Sequence, residues 1–177
     1  MLKPLIKVNN SLKSCCKIVA TFGGVGLIPW APGTFGSICA IPLFLLLPHT
    51  FIITIITIIT LFIVGIITSH LYENYFHTHD PKEVVIDEVL GQYITLTGIQ
   101  TFINYKNDFL NSSITIIVLS FILFRIFDIL KPWPISIAND RLKGGIGIIL
   151  DDVLAAFFAI ITFVILSFIV LNALKYS

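Results

Sequence analysis

Between Lys17 and Glu73 the chain runs for 55 residues without an Asp, Glu, Lys or Arg. Residues 89–105, 109–124 and 153–174 are likewise free of charge, so that 110 of the 177 residues lie in such stretches. The 67 that remain cannot clothe the surface of a water-soluble globule. Charged residues make up 12% of the chain, against roughly 25% in a soluble domain. This pattern argues against a soluble enzyme, a disordered tail or a nucleic-acid reader, and a net charge of +1 gives no reason to expect nucleic acid as a partner. The expected solvent is the lipid bilayer, and the length suits one domain over residues 1–177 with a basic arm at 1–19.

Residues 51–68 read FIITIITIITLFIVGIIT, whose β-branched Ile and Thr favour a strand in water. In lipid a lone strand leaves its backbone groups unpaired, whereas a helix satisfies them internally, so a transmembrane helix is expected. Residues 153–174 are a second full-length span, and residues 37–47, 89–105 and 114–127 are shorter ones. Residues 38–72 would extend about 52 Å as one helix, where a single crossing needs about 30 Å. A tight helical hairpin turning at Pro48, His49 and Thr50 is therefore predicted. Lys3, Lys7, Lys13 and Lys17 mark the starting side as cytoplasmic. With residues 89–105 going out and 114–129 returning, Lys82, Lys131, Arg141 and Lys143 join that side, while Lys106 and Lys175 fall outside. The expected fold is all-α: a multi-pass transmembrane bundle of short helices in five crossings, N-terminus in and C-terminus out, with a polar site facing the cytoplasm. Four spans plus an interfacial segment is the competing arrangement. No cleavable signal follows the basic N-terminus. Cys15, Cys16 and Cys39 show no metal or redox spacing and read as packing residues. Nothing in the sequence sets an oligomeric state.

Charges retained near a membrane are costly and are functional suspects. Three segments qualify. LIPWAPGTFGS, residues 27–37, leads into the first apolar run; Gly33 and Gly36 permit close backbone approach, and Thr34 and Ser37 can cap a helix whose free N–H groups would hold an anion. The plainer reading is an ordinary capped helix start. VVIDEVLG, residues 84–91, sets Asp87 and Glu88 at the mouth of an apolar segment, with Gly91 one turn later where a helix or phosphate can approach; the plainer reading is an acidic pair exposed to water. Residues 124–152, FRIFDILKPWPISIANDRLKGGIGIILDD, carry the most information. Arg125 and Asp128 share a helix face that Lys131 extends, and Pro132 and Pro134 stop the helix. Asp140, Arg141 and Lys143 precede the glycine loop Gly144, Gly145 and Gly147, and Asp151 and Asp152 open the final helix. Four acids, four bases and a flexible loop between two spans suit a phosphate ester held with a divalent cation. His70, Glu73 and His77, with His79 and Asp80 following, form either a metal site or a wet interfacial face.

These blocks, APGTFGS, IDEVLG, FRIFDILKPWPI and GGIGIILDD, in this order and spacing over most of residues 20–174, resemble the phosphatidylglycerophosphatase A family of bacterial membrane phosphatases. The resemblance implies a Mg²⁺-dependent lipid phosphatase of the bacterial inner membrane, acting on phosphatidylglycerol phosphate in anionic phospholipid biosynthesis. It implies catalytic roles for Asp87, Glu88, Arg125, Asp128, Lys131, Asp151 and Asp152. The five carboxylates would supply Mg²⁺ ligands or a base, with Arg125 and Lys131 on the phosphoryl charge. Phosphate contacts would come from Gly33, Thr34, Gly36, Ser37, Asp140, Lys143, Gly144, Gly145 and Gly147. The motifs of cysteinyl-phosphate, haloacid-dehalogenase and phosphohistidine phosphatases are missing from the sequence, which leaves metal-assisted hydrolysis. The rival is a small transporter or non-catalytic membrane subunit, for which related halves are expected and none is seen.

Overall fold

Apolar surroundings offer backbone groups no water, and the apolar runs accordingly fold as helices. The computed structural model describes residues 10–78, 81–106, 113–133, 135 and 144–175. Among them are six α-helices and no strand: α1 (Asn10–Ala20), α2 (Pro32–Leu46), α3 (Phe51–Phe76), α4 (Ile86–Lys106), α5 (Ser113–Leu130) and α6 (Gly145–Lys175), with a 3-10 turn at Val25–Leu27. The Ile/Thr run expected to resist its strand preference is α3. Two of its threonines are satisfied within the helix, because the Thr57 and Thr68 hydroxyls donate to the carbonyls of Ile53 (2.8 Å) and Val64 (2.7 Å).

The predicted hairpin is present: α2 ends at Leu46, α3 begins at Phe51, and the His49 ring meets Phe44 edge-on at 4.4 Å across the turn. α3 and α6 are each long and apolar enough to cross a bilayer, and only 11% and 28% of their most apolar windows are buried. A core helix of a soluble protein would be mostly buried, so these helices turn apolar surface outward as a membrane protein does. On α3 the outward stripe is Ile52, Ile56, Ile59, Ile63 and Ile67, and the inward one is Gly65, Ser69 and Tyr72. α2, at 15 residues, is a shorter apolar helix.

α4 lies at the centre and packs against α2, α3, α5 and α6. Two glycines make this closeness possible. A side chain at Gly91 would come within 2.5 Å of the Phe124 ring and 3.0 Å of the Asp152 carbonyl, and one at Gly98 within 2.5 Å of Ile160. The approach to Gly91 anticipated from sequence is thus by neighbouring helices.

Part of the basic N-terminal arm is helical. α1 packs on α3, with the Cys16 thiol donating to the Thr68 carbonyl at 3.2 Å and the Lys13 and Lys17 ammonium groups 4.4 and 5.8 Å from the Phe76 ring centroid. Cys16 is buried as a packing residue would be, whereas Cys15, read the same way, is exposed. Lys3 and Lys7 lie outside the described residues.

The loop after α1 and the segment before α4 meet: the Val85 N–H donates to the Ala20 carbonyl at 3.0 Å, and Gly26 lies so close to the Glu83 carbonyl that no side chain fits. This brings the starts of α2 and α4 to one end of the bundle. The starts of both helices differ from the sequence expectation for capping only at α2. That helix begins at Pro32, with Ala31 at the N-cap in a left-handed conformation (φ 48°), so Thr34 and Ser37 lie inside the helix and cap nothing. Proline at the first helical turn was the stronger signal, because its missing N–H costs nothing there. The Ser37 hydroxyl instead donates to the Gly33 carbonyl at 2.9 Å.

Candidate active site

α4 enters the bundle at Ile86, so Asp87 and Glu88 occupy its first turn, where the helix dipole favours negative charge. α6 meets α4 at Gly91, and there Asp152 joins them. Asp87, Glu88 and Asp152 each offer a carboxylate oxygen within 4.8 Å of the others. Asp87 and Asp152 are buried and Glu88 half-buried. Asp87 Oδ1, Glu88 Oε2 and Asp152 Oδ2 are buried with no hydrogen-bond partner. Three carboxylates so close repel one another, and oxygens without donors leave their desolvation unrepaid. A hard cation bound among them supplies what they lack, so this group can hold a metal ion.

The other carboxylates expected as ligands are engaged differently. Asp128 Oδ2 accepts from Arg125 Nη1, one turn apart on α5. Asp151 Oδ2 accepts from Lys131 Nζ, and its Oδ1 accepts the Asp152 N–H at 3.1 Å. Adjacent residues on a helix point about 100° apart, and α6 uses this to turn Asp151 to a lysine and Asp152 to the acidic cluster. Lys131 follows the last residue of α5 in a left-handed conformation (φ 40°), near the helix's negative end. Burial alone would push its ammonium down, but Asp151, with Asp152 and Asp128 beyond, holds it above the ordinary lysine value. It therefore carries its positive charge throughout the neutral range.

Opposite the acids stands the start of α2. A side chain at Gly33 would fall on the Glu88 carboxylate and within 3.3 Å of Arg125 Nη1, and one at Gly36 within 2.8 Å of Val85. These two glycines therefore serve the close backbone approach expected of them. Thr34 is half-buried nearby in the chain; Ser37 is fully buried with its hydroxyl committed to Gly33.

Two local expectations are corrected. Asp151 and Asp152 do not open the final helix: α6 begins at Gly145, and they are its seventh and eighth residues. Gly145 and Gly147 belong to the first turn of α6, not to a flexible loop. Gly145 abuts the Ile66 carbonyl, and Gly144 (φ 76°) lies where a side chain would be 2.9 Å from His70 Nδ1. The chain needs glycine here because α6 starts against the backbone of α3. His77 ends α3 with φ 54° and so leaves the face shared by His70 and Glu73, and the His70 ring bonds Asn74 at 3.1 Å. Asp140, Lys143, Arg141, Pro134, His79 and Asp80 lie outside the described residues.

Gln92 was not singled out in the sequence. It is fully buried, one turn beyond Glu88, and neither its Nε2 nor its Oε1 has a partner. The signal available was an amide within the charge-free run 89–105, one turn after an acidic pair.

Comparison with known proteins adds an independent finding. The family model described as phosphatidylglycerophosphatase A matches residues 18–167. The chain is 36% identical over 160 residues to a phosphatidylglycerophosphatase A of Haemophilus influenzae, covering 89% of this chain and 91% of that protein. It is 32% identical over 156 residues to that of Escherichia coli, covering 86% and 84%. A putative phosphatidylinositol-3-phosphatase of Bacteroides thetaiotaomicron is 35% identical over 150 residues, covering 81% and 88%. No solved structure matches the chain.

Proposed function

The chain belongs to the phosphatidylglycerophosphatase A family, and from that premise we propose that it is a Mg²⁺-dependent phosphatase. In this reading it converts phosphatidylglycerol phosphate to phosphatidylglycerol and inorganic phosphate at the cytoplasmic face of a bacterial inner membrane. The observation that carries the reading is the convergence of Asp87, Glu88 and Asp152, each with an orphaned buried oxygen, beside Arg125 and the start of α2. Oxygen ligands of this hardness suit Mg²⁺ better than a soft metal.

Asp87, Glu88 and Asp152 would hold the ion, which when bound polarises a phosphoryl oxygen and makes water a better nucleophile. Arg125 and Lys131 bring positive charge to the phosphoryl group, and their own ion pairs with Asp128 and Asp151 hold them in place. The backbone of Gly33, with Thr34 behind it, cradles the phosphate at the positive end of α2. Gly144 and Gly145 contribute by letting α6 start against the backbone of α3, which fixes where α6 carries Asp152. Water attacks phosphorus, the bond from phosphorus to the lipid oxygen breaks, and that oxygen leaves with a proton as the glycerol hydroxyl. The relative bearing a phosphatidylinositol phosphatase name supports a substrate class of phospholipids ending in a phosphomonoester.

A site at the end where α1 presents Lys13 and Lys17 supports the cytoplasmic orientation by the positive-inside rule. A reporter fused after Ser177 is expected on the non-cytoplasmic side of the membrane. The function is tested with Asp128→Asn and Asp152→Asn, each expected to abolish phosphate release from phosphatidylglycerol phosphate while the protein still inserts in the membrane. Full activity in both would remove the assignment.

A further inference from the structure

α4 carries Glu88, Gln92 and Thr95 at i, i+4 and i+7, which places them in one row on the helix. The row starts at the acidic cluster and descends into the bundle. Helical side chains lean toward the N-terminus of their helix, so Gln92 covers the turn that bears Asp87 and Glu88. Its chain neighbour Gly91 touches the Asp152 carbonyl, so Gln92 sits at the level where α6 brings in the third carboxylate.

Gln92 is fully buried, and both ends of its amide lack partners. The Thr95 hydroxyl, next along the row, donates to the Gly91 carbonyl at 2.9 Å, so its proton is not available to the amide oxygen. An amide with both ends idle in a packed interior is destabilising, and an apolar residue of similar volume would be better tolerated. The acidic cluster offers a taker for each end. Gln92 Oε1, Gln92 Nε2 and Glu88 Oε2 are all without a partner, so with an ion bound Oε1 would offer it a lone pair and Nε2 would donate to Glu88 Oε2.

We propose that Gln92 is a fourth member of the cation site, giving a neutral oxygen to the ion and fixing the Glu88 carboxylate from the membrane side. The proposal rests on the reading of Asp87, Glu88 and Asp152 as a divalent-cation site. A neutral ligand is what a fourth position there requires, since three carboxylates already exceed the charge of a divalent ion.

The test is Mn²⁺ binding to the full chain in detergent micelles, followed by electron paramagnetic resonance and by the rise in melting temperature with added Mn²⁺, with no substrate present. In Gln92→Met, which keeps volume and removes both polar ends, the Mn²⁺ midpoint is expected to rise about 10-fold, in the range seen when groups that orient metal ligands are lost. The melting temperature without metal is expected to stay level or rise, because the idle amide is gone. Gln92→Glu keeps an oxygen for the ion but adds a fourth negative charge and loses the N–H facing Glu88, and it is expected to weaken Mn²⁺ binding less than Gln92→Met does. If Gln92→Met does not fold, Gln92→Asn, with the amide drawn back by one methylene, carries the same expected loss. An unchanged Mn²⁺ midpoint in Gln92→Met or Gln92→Asn overturns the proposal and leaves the three-carboxylate site standing. A parent protein that binds no Mn²⁺ removes that site, and this inference falls with it.

Discussion

α3 and α4 pack against each other yet use their side chains in opposite ways. α3 is almost wholly Ile, Thr, Leu and Phe until its last two turns, and much of it faces outward. α4 carries two acids in its first turn, two glutamines and three threonines, and it is enclosed on nearly every side from Ile86 to Ile103. In water the more polar helix would lie outside. Here the order is inverted because the outer surface meets lipid, which rewards apolar groups and penalises each unpaired polar one. The polar groups collect in the interior, where some satisfy one another or their own backbone and others stand without a partner. The Thr95 and Thr97 hydroxyls return to carbonyls of α4. Asp87 Oδ1, Glu88 Oε2 and both ends of the Gln92 amide have no partner, and this separates the proposed functional end of α4 from its remainder.

The contrast can be broken by substitution. Asp152→Asn or Asp87→Asn removes a charge from the proposed cation site and is expected to lower turnover more than about 100-fold, exceeding the 10–100-fold typical of groups outside a ligand set. Phosphate release by membranes holding equal amounts of each variant checks this. Gly91→Ala is expected next. The added methyl meets the Phe124 ring and the Asp152 carbonyl, and forcing α4 from α5 and α6 is expected to cost about 1–3 kcal/mol, as overpacking does, seen as a lower melting temperature in detergent. Gly33→Ala aims its methyl at the flexible Glu88 carboxylate, so it is expected to lower turnover by about 10-fold with little change in melting temperature, the loss lying in metal orientation. On α3, Ile59→Leu and Ile63→Leu keep an apolar outward face and are expected to change stability by less than about 0.5 kcal/mol and activity not at all. A large loss from the α3 pair would mean that this face is an interface and would undo the comparison.

The helices themselves could be read from the sequence, because in lipid a charge-free run has few alternatives to a helix. The need for a turn within residues 38–72 followed from length, and its place from Pro48, His49 and Thr50. The convergence of the segments around Gly33, Glu88, Arg125 and Asp152 followed from their motifs. What escaped was local phase. Asp151 and Asp152 look equivalent in sequence, and only the rotation of α6 against α4 decides that one faces Lys131 and the other the acidic cluster. The start of α2 was misplaced by a few residues because Thr34 and Ser37 are good caps in general, while Pro32 decides the case. Gln92 passed unnoticed because an amide within an apolar run acquires meaning only when its neighbours are known to leave it without a partner.

The buried acids of α4 and α6 are proposed to act on phosphate through a divalent cation. Phosphate release from phosphatidylglycerol phosphate by the purified chain in detergent, with EDTA and after Mg²⁺ is restored, tests this directly. Release that EDTA stops and Mg²⁺ restores is expected. Release that continues undiminished in EDTA, or no release with Mg²⁺ present, would contradict it.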